Sequence, residues 1–246
     1  MLTTQQLCIS AVQRRLVTDL NWQVKPGEFW CVLGKNGAGK TSLLHTLAGA
    51  ATPAQGSVLL SEQNIVDLDA LTLSRRRGLM LQSHSDVFHE SVFNVVAIAR
   101  TPFRSGAQWD TTADIAAVKH ALQGVNLEEK INADITQLSG GERQRVALAA
   151  LIVQSPDLML LDEPTAHQDV AYQLKTMHLL RDLSQQHAVI ASCHDINQAT
   201  RFATHVLLMD DQQHWLGPVD EVLEAERLSQ VFGCSFRREG ESWLMY

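Results

Sequence analysis

The sequence predicts an α/β fold: a mostly parallel sheet with helices on both faces, an inserted helical subdomain and a small N-terminal antiparallel β part. Three observations lead there. Apolar runs at 29–33 (FWCVL), 158–161 (LMLL), 188–192 (AVIAS) and 206–209 (VLLM) lack polar alternation, which suits strands buried on both faces. The glycine-rich stretch GKNGAGKT at 34–41 links the first run to leucines at helical spacing, Leu43, Leu44 and Leu47. Between Gln82 and Pro156 glycine is sparse, and apolar residues recur at helical spacing: Val92, Val95, Val96 and Ala99, then Ala117, Ala121 and Leu122.

Taken in order, the strand at 29–33 stops at Gly34, and Gly49 can end the following helix in a left-handed cap. The connection between them has the form G-x-x-x-x-G-K-[ST], a phosphate-binding loop. Its glycines let backbone N–H groups close around the phosphates of a nucleotide, and the helix N-terminus adds partial positive charge. The binding candidates are therefore Gly34, Lys35, Asn36, Gly37, Ala38, Gly39, Lys40, Thr41 and Ser42. Lys40 places a charge on the β and γ phosphates, and the Thr41 hydroxyl can hold a magnesium ion.

A second glycine turn, LSGGERQRV at 138–146, opens a helix with Val146, Ala149, Ala150 and Val153 on one face. A site already filled by one anion-binding helix start has no use for another, so the second reads as an opposing surface. The run LMLLDEP at 158–164 ends in two carboxylates. Strand alternation points Asp162 and Glu163 in opposite directions, the first near a magnesium shell and the second towards an attacking water. The stretch 219–246 suggests two short helices and a small strand-rich end. The whole reads as one domain: a core at 1–82 and 157–218, the helical part at 83–156, and a short extension at 219–246.

Composition narrows the partners. Twenty basic against 27 acidic residues give a net charge of −7, so there is no general basic surface of the kind nucleic-acid binders carry. No apolar run reaches the roughly 18 residues of a membrane span, and the N-terminus has no secretory pattern. A soluble chain that meets membranes only through a partner is expected. Cys8, Cys31, Cys193 and Cys234 are scattered, with no CxxC pair, and read as buried reduced thiols; Cys31 and Cys193 sit in apolar strand-like runs. His84, His89 and His205 show no ligand spacing and read as solvated or packed, and Arg75, Arg76 and Arg77 as a solvated element start.

The phosphate loop, LSGGERQ, LMLLDEP and a downstream His194 in SCHDIN, in that order, resemble the ATPase subunit of an ATP-binding cassette (ABC) transporter along essentially the whole chain. The resemblance implies a RecA-like P-loop NTPase core and two subunits meeting head to tail, each ATP gripped between one subunit's loop and the other's signature. It implies that Thr41 and Asp162 place magnesium and that Gln82, in LQSH, contacts magnesium and water. Ser139, Gly140 and Gly141 would contact the γ phosphate of the opposite subunit's ATP. Glu163 matches the general base, His194 the γ-phosphate histidine, and Asp169 the aspartate of the loop touching the other subunit. Gln82, Lys40, Glu163 and His194 are thus the catalytic candidates. Read alone, Gln82 could be a solvated loop residue and His194 a structural histidine; their places after RRRGLML and a buried strand favour the functional reading.

Two departures stand out. Where the family usually reads SALD after the glutamate, this chain has Ala166, His167, Gln168 and Asp169. No aromatic residue between Gln6 and Leu20 is present to stack on adenine, which leaves Arg14 or Arg15 to cover the base. The stretch VFNVVAIARTPF resembles the "V…VVALGRxP" pattern of importers for iron–siderophore complexes, haem and cobalamin, with Ala99 in place of glycine and Arg100 and Pro102 matching. Its ending VFGCSFRREGESWLMY resembles the short C-terminal segment of that group. The implied assembly is a homodimer at the cytoplasmic face of the inner membrane, two permease subunits and, indirectly, a periplasmic or surface binding protein. The alternatives are an exporter subunit or a non-transport ABC ATPase.

Overall fold

The computed structural model describes residues 1–11, 14–82, 89–104, 111–211 and 213–246, so His84 falls outside the described residues. The chain begins with β1 (Leu2–Ala11), β2 (Arg14–Val24) and β3 (Phe29–Gly34), then α1 (Lys40–Leu47), β4 (Gln55–Leu60) and β5 (Gln63–Asn64). Next come α2 (Ala70–Arg76), β6 (Arg77–Met80), α3 (Val92–Ile98), α4 (Thr112–Gly124) and α5 (Gly140–Gln154). They lead into β7 (Leu158–Leu161), α6 (Val170–Ser184), β8 (Ala188–Ser192), α7 (Ile196–Phe202), β9 (His205–Met209) and β10 (His214–Pro218). The chain closes with α8 (Val219–Val222), α9 (Ala225–Phe232) and the hairpin of β11 (Phe236–Glu239) and β12 (Ser242–Met245). Gly49 adopts the left-handed conformation expected after α1, with φ 71°.

A six-stranded sheet in the order β10-β9-β3-β8-β7-β6 carries the fold, parallel except for β10. Its inner strands are buried on both faces, and alternate residues feed two separate cores. Phe29, Cys31 and Leu33, with Met159, Leu161, Val189 and Ala191, join the core that also holds Val92, Val96, Val118, Leu122, Val146 and Ala149. Trp30 and Val32, with Leu158, Leu160 and Ile190, join the core under α1 and the antiparallel sheet β2-β1-β4-β5. The unbroken apolar runs follow from this, since neither face of β3, β7 or β8 meets water.

Side-chain caps set most helix starts. Ser91 caps α3, Thr111 and Asp114 form a capping box on α4, and Asp169 caps α6 through Tyr172 N–H. Asp169, which the resemblance assigns to an intersubunit loop, therefore also has a local duty.

Of the three arginines Arg75 is exposed as expected, while Arg76 and Arg77 are partly buried, and each contacts another part of the chain. Arg75 Nε donates to the Pro102 carbonyl at 2.6 Å and Arg77 Nε to the Ala48 carbonyl at 2.6 Å, while Arg76 lies 3.8 Å from Asp157. They tie α2 and β6 to segments far away in sequence. His205 is packed, stacked on Trp30 at 4.6 Å, and His89 pairs with Asp134 at 2.8 Å. All four cysteines are free thiols; Cys31 and Cys193 are buried with sulfurs 3.6 Å apart, whereas Cys8 and Cys234, against expectation, are only partly buried. The hydrogen bond between them and burial push the Cys31 pKa well up, away from reactivity.

Candidate active site

The loop after β3 opens on a cleft of about 670 Å³ lined by Asn36, Gly37, Gly39, Lys40, Thr41, Ser42, Gln82, Glu163 and His194, with Ala11, Arg14 and Leu16 at its edge. Gly39 is the residue before α1; it is left-handed at φ 99°, and a Cβ there would meet Leu16 Cβ at 2.8 Å. Only glycine fits that turn. No side chain caps α1 and no acidic residue sits in its first turn, so its N-terminal N–H groups face an anion site without competition. Lys40 is 6% exposed and donates from Nζ to the carbonyls of Gly34 at 2.9 Å and Lys35 at 3.1 Å. Burial lowers its pKa, and the Glu163 and Asp162 carboxylates oppose that shift.

The carboxylates divide their partners. Asp162, 1% exposed, accepts from Thr41 Oγ1 at 2.7 Å and from Ser192 Oγ at 2.6 Å. Glu163 accepts from Gln82 Nε2 at 2.7 Å and meets His194 Nε2 at 2.5 Å. The sequence attributes this division to strand alternation, but β7 ends at Leu161 and Glu163 adopts φ 49°. A left-handed turn, rather than the pleat, aims the second carboxylate.

Magnesium fits these donors. The Thr41 hydroxyl and Asp162 carboxylate are hard oxygen ligands already in contact, and the Gln82 amide keeps its oxygen for a cation while its nitrogen engages Glu163. Among the described residues no cluster of three or more His, Cys, Asp or Glu is placed to hold a metal ion.

The second glycine turn starts α5 with Ser139 as N-cap in a full capping box with Glu142. Glu142 accepts from Ser139 N–H at 2.9 Å and Oγ at 3.0 Å and pairs with Lys130. The Lys130 ammonium and the Ser139 donors pull its pKa down to about 2. Within one chain, Ser139, Gly140 and Gly141 are not among the residues lining the cleft. The structure thus brings together the loop, Gln82, Asp162, Glu163 and His194, and holds the signature turn apart from them. Arg14 reaches the cleft edge, paired with Asp211; Arg15 is not among its lining residues.

The ABC transporter family model matches residues 17–166, a span that holds both glycine turns and both carboxylates. The chain belongs to the ABC transporter family. As an ABC-type ATPase cassette it is 36% identical over 240 residues to the hemin import ATP-binding protein HmuV of Pseudomonas aeruginosa, covering 95% of this chain and 92% of that one. It is 35% identical over 221 residues to the cobalamin import ATP-binding protein BtuD of Halobacterium salinarum, covering 89% of this chain but only 55% of that protein's length. A solved metal-chelate type ABC transporter in an inward-facing conformation superposes with a TM-score of 0.83 at 28% identity, covering 100% of this chain and 95% of its own. Among the described residues, no helix of this cassette is long and apolar enough to cross a membrane.

Two residues of the site escape a reading of motifs. Ser192 bridges Asp162 and the Glu163 backbone, and its only signal is a hydroxyl ending an apolar strand. Gln144 lies inside SGGERQ yet faces inward, donating to the Glu163 carbonyl at 3.0 Å. A buried glutamine in the first turns of an apolar helix face is the trace it leaves in the sequence.

Proposed function

We propose that this chain is the ATP-hydrolysing subunit powering import of a metal chelate, cobalamin or iron bound to a siderophore or haem, across the inner membrane. Two copies pair head to tail on the cytoplasmic face beneath two polytopic permease subunits, and a binding protein outside delivers the cargo. The observation that carries the hydrolytic part is Glu163 held between Gln82 and His194 at the mouth of the phosphate-loop cleft. The import names of relatives that align along nearly the full chain support the direction of transport.

The chemistry is mostly positioning and charge stabilisation. Loop N–H groups and Lys40 hold the phosphates, and Ser139, Gly140 and Gly141 of the second copy complete the cage. Thr41, Asp162 and Gln82 would hold magnesium, which when bound neutralises charge on the phosphate oxygens. Glu163 orients the attacking water and takes its proton, and His194 donates to the γ phosphate while fixing the Glu163 carboxylate. Arg14 covers the adenine from the cleft edge. Because the cassette never touches the cargo, its chemistry does not choose among chelates.

The test is uptake in a strain lacking this chain, comparing cobalamin, haem and siderophore iron, together with recovery of a polytopic membrane protein on affinity purification. Loss of one of these uptakes with permease recovery supports the reading. Normal uptake of all three, or recovery of DNA or ribosomes instead, refutes it.

A further inference from the structure

Glu163 keeps a left-handed backbone, φ 49°, which a residue with a side chain holds only when its surroundings enforce it. Both ends of its peptide are gripped. Its N–H donates to Ser192 Oγ at 2.8 Å, and its carbonyl accepts from Gln144 Nε2 at 3.0 Å. Ser192 belongs to the floor of the site through Asp162. Gln144 does not: it rises from α5, one turn beyond the signature glycines, and is 3% exposed.

The same stretch touches α5 a second time. A Cβ on Gly141 would lie 2.8 Å from the His167 carbonyl oxygen, and one on Gly140 would lie 3.6 Å from His167 Cβ. Gln168 braces the turn from within by donating to the Pro164 carbonyl at 3.0 Å, and the far end is fixed to α6, where Gln168 accepts from Thr176 Oγ1 at 2.8 Å and, at its carbonyl, from Gln173 Nε2 at 3.1 Å. The turn from Glu163 to Gln168 is therefore slung between the signature helix and α6. His167 and Gln168, which depart from the usual family pattern, supply two of its attachments.

We propose that Gln144 is a positioning residue for hydrolysis, tying the signature helix to the backbone of the glutamate in the same chain. This rests on the reading above, in which the signature grips the partner copy's ATP while Glu163 acts on the chain's own. The helix start and the Gln144 amide belong to one capped, hydrogen-bonded helix, so a shift at Ser139 reaches the Glu163 carbonyl one turn later. A buried amide must keep its partner. The carbonyl therefore follows, and with it the direction of the carboxylate between Gln82 and His194. Each site thereby senses whether the other is filled, through one hydrogen bond inside the subunit.

The test is steady-state hydrolysis by the full-length protein carrying Gln144→Met, which keeps the length and removes the donor. Thr176→Val, which removes one of the two bonds from α6 to Gln168 and leaves the one from Gln173, serves as a second variant, and Glu163→Gln as the control. For Gln144→Met the expected result is an unchanged melting profile, a KM for ATP within about twofold, and kcat down about tenfold, in line with one buried hydrogen bond. The Hill coefficient falls towards unity. Thr176→Val moves the same quantities by less. In mixed dimers, Gln144→Met and Glu163→Gln on one chain beside a wild-type partner retain several-fold more activity than the same changes split between chains.

A folded Gln144→Met protein with unchanged kcat and Hill coefficient, or equal activity of the two mixed dimers, overturns the proposal while Glu163→Gln stays inactive. If Gln144→Met does not fold, Thr176→Val decides by the same two quantities. Turnover by Glu163→Gln within a few-fold of wild type removes the underlying reading instead.

Discussion

The two glycine turns open two helices that look alike in sequence and differ in how they meet an anion. At α1 the residue before the helix is left-handed Gly39, no side chain caps the helix, and Lys40, its first residue, is buried. At α5 the side chains at the helix start are paired within the chain, because Ser139 and Glu142 exchange hydrogen bonds in a capping box and Lys130 pairs with Glu142. The first is built to hold phosphate within one chain. The second holds its Ser139 in a capping box with Glu142. A glycine turn before a helix therefore indicates an anion site only together with what caps it.

Substitutions at the two starts separate these behaviours. The largest effect falls between them: Glu163→Gln should reduce phosphate release by about a hundredfold or more while ATP still binds, as expected for loss of a general base. Lys40→Ala should weaken nucleotide binding at least about tenfold in a fluorescent-nucleotide titration, since it removes the buried charge at the standing site. Gly141→Ala should leave ATP binding to the isolated loop intact and still cut turnover, because its Cβ would lie 2.8 Å from the His167 carbonyl. Equal damage to binding from Lys40→Ala and Gly141→Ala would erase the distinction between the two starts.

Smaller effects concern Glu142. Glu142→Gln keeps the capping box and removes a negative charge facing the phosphate, so ATP-driven pairing should tighten about two- to fivefold. The pH dependence follows the same bonds. The Glu142 pKa is lowered from 4.5 to about 2, so its contribution to stability is present above the unfolded value and lost as pH falls from about 4.5 towards 2. Lys130→Met removes the largest cause of that depression, and acid unfolding followed by circular dichroism should begin at a higher pH. An unchanged acid limb would mean that the pair contributes nothing.

Much of this was legible in the sequence because the informative features are local. Strands β3, β7, β8 and β9 announce themselves as apolar runs since both faces of the sheet are covered, and the phosphate loop follows from its glycines together with Lys40 and Thr41 between a strand and a helix. The resemblance carried Gln82, Asp162, Glu163 and His194, and the structure brings these together at one cleft. What stayed hidden depends on partners distant in sequence. Arg77 looks like a surface charge until its bond to the Ala48 carbonyl is seen, and Asp169 doubles as the cap of α6. The aim of Glu163 comes from a left-handed turn held by Ser192 and Gln144, whose bonds to it join positions distant in sequence.

Light scattering on the Glu163→Gln protein, with and without saturating MgATP, asks most directly whether the conditional turn of one copy completes the standing site of another. Doubling of the mass on adding MgATP, reversed when Ser139 is also replaced by a bulky residue, is the predicted result. A single-chain mass at saturating MgATP, persisting when the permease is supplied, would contradict it.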